Sequence, residues 1–282
     1  MKHYCPYTDQ DLNVSDTNSE HIIPLSLGGV NGLEIPVCQR KNSELGSRID
    51  AKMANELIIK SARTKLGIKS QSGKEASMYF SNAKDGETGL PLQANFTKDG
   101  IKLTAPYVPD GVAPPRGGSI SVSVTSEFDI WLKYVAKTFL SAGYYAYGDE
   151  FRYNVDTNAL RVIVDLSFDD WTTSQKEAIK DVRSHYIYEE DTHDFMKLYR
   201  HICKAVNNSS CIGLVPSSRG LCCFVGVLGN YIGSLTVNAN TENFPRDGAF
   251  EQGHFICVQN GTLVRVSFQR VLEKVLLSPD EV

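Results

Sequence analysis

The sequence predicts an α+β protein, with a small N-terminal module followed by a larger mixed α+β domain. Three observations predict this class: a turn-rich start with short apolar pieces, a helix with an apolar stripe directly after it, and a later mixture of amphipathic helices and apolar strand segments. The chain has 282 residues, whereas one domain commonly has about 100–200. We therefore expect two domains, residues 1–68 and 69–282, with a boundary near 68–75.

The N-terminal module is predicted to consist of short strands and one helix. Residues 1–40 are rich in turns and contain the apolar pieces HIIP and EIPV. From Asn42 onward, apolar residues recur at steps of three and four, which predicts a single helix that stops at Gly67. Its apolar stripe consists of Leu45, Ile49, Met53, Leu57 and Ile58.

The larger domain is predicted to mix strands and helices. Strands are expected near 76–81, 92–97 and 100–105, and a loop over 109–119. Helices are expected over 126–145, twice within 171–205, and near 269–277. Six apolar segments are predicted as further strands: LRVIVDL, CIGLV, LCCFVGVLG, YIGSLTVN, HFICVQNG and TLVRVSF. Asn260-Gly261 is a favourable hairpin turn.

Composition excludes several classes of protein. Apolar residues make up 41% and charged residues 22%, which is ordinary for a globular protein and excludes a disordered, fibrous or coiled-coil chain. No apolar run approaches the roughly 18 residues of a membrane span. The start MKHYCPYTDQ lacks the apolar core of a signal peptide. Seven irregularly spaced cysteines favour reduced thiols, so we expect a cytoplasmic protein without membrane partners.

The charge is distributed unevenly. The net charge of −4 argues against nonspecific coating of nucleic acid. Residues 56–75, however, carry five basic residues against two acidic ones. Such a run is often only a solvated helix face. The alternative is that its basic side chains contact phosphates, and the candidates are Lys60, Arg63 and Lys65.

One stretch, residues 18–50, carries a recognisable order of functional residue types. Glu20 directly precedes His21, and the residues that follow in order are Pro24, Gly28, Gly29, Asn31, Cys38 and Asn42. This order resembles the HNH endonuclease family in its ββα-metal, treble-clef-like form, over roughly residues 3–60. The residue types, their order and the strand–loop–strand–helix context all agree with that family.

The resemblance implies hydrolysis of a phosphodiester bond, which needs a base to activate water and a divalent cation at the phosphate. By resemblance, His21 would be the base, Asn31 would orient it or hold the loop, and Glu20 with Asn42 would bind Mg²⁺ or Mn²⁺ through oxygen. Adjacent strand residues face opposite sides, so Glu20 and His21 can share one site only if the strand bends there. Asp50 is expected to be too far along the helix to bind the metal directly.

Structural zinc is not expected. Many relatives carry two Cys-x-x-Cys pairs, but here one cysteine of each pair is replaced and only Cys5 and Cys38 remain, with His3 a distant third candidate. The two cysteines are expected to pack as neighbours in the core of the module. Lys41, beside Asn42, would lie near a substrate phosphate, or else be an ordinary solvated lysine.

The resemblance implies DNA as the substrate, double-stranded rather than single-stranded, and a role in restriction or anti-phage defence. Residues 69–282 would serve recognition, oligomerisation or regulation, with a modified base or a small molecule as a candidate ligand and a homodimer as the assembly. Three alternatives stay open: a non-catalytic nucleic-acid-binding protein on a degenerate scaffold, a nuclease that is silent until its C-terminal sensor binds a ligand, and an RNA-cutting toxin.

Overall fold

A computed structural model provides the structure of the chain. It describes residues 1–69, 73–106, 118–123, 127–167, 171–184, 193–242, 244, 250 and 252–277. Most of the predicted 109–119 loop lies outside the described residues. Helices and strands both contribute substantially, which confirms the α+β class.

The N-terminal segment begins with two antiparallel hairpins and continues into helical turns. The strands are β1 (Lys2–Cys5) paired with β2 (Gln10–Asn13), and β3 (Thr17–His21) paired with β4 (Glu34–Cys38). The helical turns are α1 (Gln39–Leu45), a π-type turn (Gly46–Asp50) and α2 (Ala51–Met53). The strand–loop–strand–helix order expected from the sequence is therefore present.

The single helix predicted from Asn42 to Gly67 is wrong. The chain turns after Met53, and a separate helix, α3 (Leu57–Lys65), begins afterwards. Because the turn changes the rotational phase, the last two residues of the predicted stripe, Leu57 and Ile58, are 38% and 49% exposed, whereas Ile59 is fully buried.

Contacts between Cα atoms divide the chain into two units, which are Met1–Met53 with Phe128–Val282, and Ala54–Glu127. The predicted boundary near 68–75 lies inside the second unit, so this grouping differs from a division into 1–68 and 69–282. The second unit contains α3 and a sheet of order β7-β6-β5-β8. Its strands are β5 (Met78–Asp85), β6 (Pro91–Thr97), β7 (Gly100–Thr104) and β8 (Ile120–Ser121).

The first unit contains a six-stranded antiparallel sheet of order β14-β13-β10-β11-β12-β9. Its strands are β9 (Arg183–Ser184), β10 (Cys211–Ser217), β11 (Gly220–Val227), β12 (Asn230–Val237), β13 (His254–Gln259) and β14 (Thr262–Ser267). Asn260 and Gly261, both with positive φ, form the turn between β13 and β14, which confirms the predicted hairpin.

In the part of the chain that the structure describes, six helices accompany this sheet: α4 (Phe128–Tyr147), α5 (Asp149–Asn154), α6 (Thr157–Asp165), α7 (Thr173–Ile179), α8 (His193–Ala205) and α9 (Phe268–Leu277). Among the helices that the structure describes, none is both long enough and apolar enough to cross a membrane.

The strand predicted for LRVIVDL is wrong, because these residues lie in α6 and the coil that follows it. A short apolar run does not by itself distinguish a buried strand from a buried helix face. The Asp156 side chain caps the helix by accepting a hydrogen bond from the backbone of Ala159. Leu160, Ile163 and Val164 then lie on one buried face that packs against α4.

Helix α4 lies between the N-terminal hairpins and the C-terminal sheet. It packs against α6, β11 and β12, and it also contacts β4 and α2. Its buried residues are mostly apolar and include Tyr134, Val135 and Phe139. Lys137 is the charged residue among them, and it is only 1% exposed. The central helix therefore carries a buried ammonium group toward the N-terminal segment.

Candidate active site

The β3–β4 hairpin determines which side chains face outward. His21 is paired with Glu34 across the two strands, and Glu20 is paired with Ile35. Because successive strand residues face opposite sides, Ser19, His21 and Glu34 share the exposed side of the hairpin. Glu20 and Ile35 lie on its other side, where both are buried.

His21 is held at one ring nitrogen. Its Nε2 lies 3.0 Å from Oε1 of Glu34 and 3.0 Å from Oδ1 of Asn31. An ionised carboxyl group only accepts hydrogen bonds, so this contact places the imidazole proton on Nε2. Nδ1 then carries the lone pair and is the nitrogen able to accept a proton from water. The structure thus brings Asn31 into contact with His21, and its role of orienting the imidazole or holding the loop stays a prediction.

Glu34 is a residue that the sequence reasoning missed. Its Oε2 accepts a hydrogen bond from the Ser19 hydroxyl, and this bond lowers the pKa of Glu34, with the charge of His21 acting in the same direction and burial opposing. Glu34 is therefore ionised near neutral pH. The available signal was the hairpin register, since Glu34 opens the EIPV strand that pairs with the strand ending at His21.

The loop between His21 and Glu34 is anchored to the C-terminal sheet. The Ser210 hydroxyl donates a 2.6 Å hydrogen bond to the Leu27 carbonyl and accepts one from the Leu228 backbone at 3.0 Å. Gly28 has a φ of +83°, which favours glycine. A Cβ atom on Gly29 would lie 1.8 Å from the Ile23 carbonyl oxygen. The two glycines therefore allow the tight turn that leads to Asn31.

Glu20, expected to bind a metal, has different partners in the structure. Its Oε1 accepts a hydrogen bond from Nζ of Lys137 and a 3.4 Å bond from the Tyr7 hydroxyl. The same Nζ lies 2.7 Å from Oδ2 of Asp50. The strand does not bend enough to bring Glu20 and His21 to one side, so the two residues face different environments.

The Glu20–Lys137–Asp50 cluster is buried and strongly charged. Burial by itself lowers the pKa of Lys137, but the charges of Asp50 and Glu20 outweigh it, and the pKa lies well above its ordinary value. Burial raises the pKa of Asp50 to about 6, with Lys137 opposing and Glu20 adding to the shift. Asp50 Oδ1 has no hydrogen-bond partner among the residues that the structure describes.

Asn42, the second expected ligand, lies beside β3. Its Nδ2 donates to Oδ1 of Asn18 at 3.0 Å and to the Ser19 carbonyl at 3.4 Å. The expected Glu20–Asn42 pair is not assembled into a metal site, because the Glu20 carboxyl is already paired with an ammonium group. Within the described part of the chain, no group of three or more His, Cys, Asp or Glu side chains is arranged to hold a metal ion.

The two cysteines expected to be neighbours do lie side by side. The Cys38 backbone N–H donates to Sγ of Cys5 at 3.2 Å, and both thiols are free. His3, the distant third zinc candidate, instead makes a 3.3 Å hydrogen bond to Thr17. The absence of structural zinc stays a prediction.

The four candidate phosphate-binding residues differ in availability. Lys41 is 2.8 Å from Asp165 and also pairs with Glu44. Arg63 is buried and donates from Nη1 to the Ala54 carbonyl at 2.8 Å. Lys60 is half-buried, and Lys65 is exposed. Lys65 therefore has the side chain most available for a phosphate.

The N-terminal segment is similar to a known protein family. Residues 4–58 match the HNH endonuclease family. This is the N-terminal region in which the sequence resemblance was found, and it contains His21, Asn31 and Glu34. No curated protein and no solved structure matches the chain. The similarity of this segment to the HNH endonuclease family suggests nuclease activity on nucleic acids.

Proposed function

We propose that this protein, with an HNH endonuclease segment at residues 4–58, is an endonuclease that hydrolyses phosphodiester bonds in double-stranded DNA. The observation that carries the proposal is the geometry of His21, whose Nε2 is held at 3.0 Å by Glu34 and Asn31. An imidazole oriented in this way presents Nδ1 to a water molecule and accepts its proton during attack on phosphorus.

Each residue around the imidazole has a distinct role in this proposal. Glu34 stabilises the imidazolium that forms when His21 takes the proton, as a carboxylate beside a catalytic histidine does in general. Asn31 supplies a second acceptor at Nε2 and ties the loop to the imidazole. Ser19 holds the Glu34 carboxylate through its hydroxyl. Together these contacts fix the orientation of the imidazole before substrate binds.

HNH nucleases generally use divalent metal ions, and we propose that cleavage here depends on Mg²⁺ or Mn²⁺. Such an ion supplies charge stabilisation at the phosphate. The expected ligand pair, Glu20 and Asn42, does not fit this role in the present arrangement, because Lys137 is bonded to Glu20. The roles assigned here are therefore restricted to His21, Asn31, Glu34 and Ser19.

The experiment is cleavage of supercoiled plasmid by the full chain with Mg²⁺, with Mn²⁺ and with a chelator. We expect nicking with metal, none with the chelator, and a loss of about 10²–10⁴-fold in rate for His21→Ala. Circular dichroism and thermal unfolding check that His21→Ala is folded. Binding of plasmid without cleavage under every metal would favour the non-catalytic nucleic-acid-binding protein instead.

Parallel reactions on single-stranded DNA and on RNA determine the substrate. Faster cleavage of RNA than of either DNA form would favour the RNA-cutting toxin. Because one site cuts one strand, double-strand breaks at low enzyme concentration would support the proposed homodimer, which sedimentation measures directly. A role in restriction or anti-phage defence is tested by phage plating on cells that express the wild type or His21→Ala.

A second candidate function, a ligand-gated nuclease, is favoured by a cavity of about 580 Å³ beside the C-terminal sheet. Its lining includes Arg183, Arg219, Asn238 and Asn240, and none of the described residues that line it is acidic. Both arginines are exposed, and within the described residues neither has a carboxylate partner. A groove of this size with two exposed guanidinium groups suits an anionic small molecule.

This second candidate is tested by calorimetry with nucleoside monophosphates and inorganic phosphate. We expect binding that is lost in Arg183→Ala/Arg219→Ala and kept in Arg270→Ala, which removes an exposed arginine from α9. Stimulation of plasmid cleavage by the bound anion would show gating. Binding unaffected by the double substitution would exclude this groove.

A further inference from the structure

We infer that Lys137, which lies outside the HNH endonuclease segment, is a positioning residue for His21. Its ammonium group holds Glu20 on the buried side of β3, and this contact keeps His21 on the exposed side, opposite Glu34. The inference rests on the proposed role of His21 as the base.

Lys137 and its two carboxyl partners are largely buried. The side chain of Lys137 is 1% exposed, and those of Glu20 and Asp50 are 7% and 13% exposed. Moving charged groups out of water is strongly unfavourable unless they are paired. The ammonium group contacts both carboxyl groups, at Oε1 of Glu20 and at Oδ2 of Asp50. These side chains therefore have little freedom to leave the cluster.

Side chains alternate between the two faces of β3. Glu20 and His21 are adjacent, so the side chain of one determines the side of the other. A strand that slips by one residue moves every side chain to the opposite face. Holding Glu20 inside thus holds His21 outside. The register that results pairs His21 with Glu34.

Asp50 is the second carboxyl group that Lys137 binds. Asp50 ends the π-type turn that follows α1, the helix that carries Asn42. One ammonium group therefore ties the strand of His21 to the helical turns after it, at a single buried point. The helix that supplies Lys137 packs on β11 and β12, so the anchor itself is held by the C-terminal sheet.

The role of Glu20 follows from these contacts. By family resemblance Glu20 was expected to bind metal, yet here its carboxyl group is engaged by Lys137 and Tyr7. In this protein Glu20 acts through position: it anchors the strand, and His21, Glu34 and Asn31 remain on the accessible side.

The experiment uses the full chain labelled with ¹⁵N in histidine, and its readout is the tautomer of His21. The His21 signals are assigned by their absence in His21→Ala. In the wild type, Nε2 is expected to carry the proton and Nδ1 to be unprotonated. In Lys137→Met, the two nitrogen signals are expected to move toward those of a free imidazole, and plasmid cleavage to fall about tenfold or more.

The matched control is Lys133→Met, which removes the lysine one helical turn earlier on α4, where it pairs with Asp129 at 2.9 Å. This variant is expected to keep the wild-type tautomer. Thermal unfolding and circular dichroism establish which variants are folded. A folded Lys137→Met that keeps the His21 tautomer overturns the inference.

A second pair of variants decides the question if Lys137→Met does not fold. Glu20→Ala removes the anchor but leaves Lys137 paired with Asp50, so its buried charges stay balanced. Glu20→Gln keeps an oxygen that accepts the Lys137 bond. The His21 tautomer should be lost in Glu20→Ala and kept in Glu20→Gln; the opposite pattern, or no difference, overturns the inference.

The tautomer readout separates two failures. If the wild type cleaves no nucleic acid but the His21 tautomer responds to Lys137 as described, the proposed activity fails and the positioning role stands. If the wild type cleaves plasmid and the tautomer is unaffected by Lys137 and Glu20, the activity stands and the positioning role fails.

Discussion

Nε2 of His21 lies 3.0 Å from Oε1 of Glu34, its direct partner across the β3–β4 hairpin. A carboxylate at this distance fixes both the ring orientation and the tautomer of the imidazole. Because the two residues lie opposite each other in an antiparallel pair, their side chains are close without any help from a loop. The hairpin thus brings together a base and its orienting partner from residues that are thirteen positions apart in the sequence.

Replacing Glu34 by glutamine should slow plasmid cleavage substantially and change the free energy of unfolding little. The glutamine side chain keeps the shape of the glutamate but removes the charge that stabilises the imidazolium. We expect a loss of about 10- to 100-fold in the initial rate of plasmid nicking, which is less than the loss for removing the base, and a stability change within about 0.5 kcal/mol. Asp11→Asn, at a surface carboxylate paired with Arg152, is the control. Equal rates in Glu34→Gln and the wild type would remove Glu34 from the mechanism.

Alanine substitutions at two glycines of the N-terminal segment should change stability in opposite directions. A Cβ on Gly29 would lie 1.8 Å from the Ile23 carbonyl oxygen, a backbone atom that cannot move alone. Gly29→Ala should therefore cost roughly 1–3 kcal/mol and displace the loop of Asn31. Gly46 has a helical φ of −57° and open space around it, so Gly46→Ala should stabilise by up to about 1 kcal/mol. Urea unfolding measures both; a tolerated Gly29→Ala would contradict the close approach.

His254 should make the protein less stable in mild acid. Its ring is 2% exposed, and Nδ1 accepts a 3.1 Å hydrogen bond from Nε of Arg265. Burial, with the charge of Arg265 adding, lowers the pKa of His254 to about 4. The unfolded chain therefore binds the proton first, and stability is lost as the pH falls from about 6.5 to about 4, by roughly 3 kcal/mol in total.

The measurement is the free energy of unfolding in urea at several pH values between 4 and 7. His254→Gln should lower the free energy of unfolding at pH 7. It should also make that free energy depend less on pH than it does in the wild type. A His254→Gln curve parallel to that of the wild type would show that His254 does not titrate as described.

Alanine substitutions of Arg63 and Lys65 should have different effects, although both residues lie on α3. Arg63 is 6% exposed and bonded to the Ala54 carbonyl, so Arg63→Ala should destabilise by roughly 1–3 kcal/mol. Lys65 is exposed. If it contacts a phosphate, Lys65→Ala should reduce the slope of log K against log salt for DNA binding by about 0.9. An unchanged slope would show that Lys65 is only a solvated lysine.

The strands of the C-terminal sheet could be predicted because their apolar runs are short and bounded by turn residues, as at Asn260-Gly261. The same rule failed at 160–166, where the apolar run forms a helix face packed on α4. The helix from Asn42 was predicted too long because the turn after Met53 interrupts its apolar period. In both cases the pattern was compatible with two structures, and long-range packing selected one.

The sequence by itself determined that residues 18–50 carry the order typical of HNH endonucleases, because that order depends only on residue types and spacing. The sequence therefore predicted that His21 and Asn31 belong to one candidate catalytic site. Only the tertiary structure decided the partners of Glu20, because Lys137 lies 117 positions away and reaches it through the packing of α4. Strand pairing likewise decided that Glu34 faces His21. Burial and register are properties of the folded chain, and they assign these two acidic residues different surroundings.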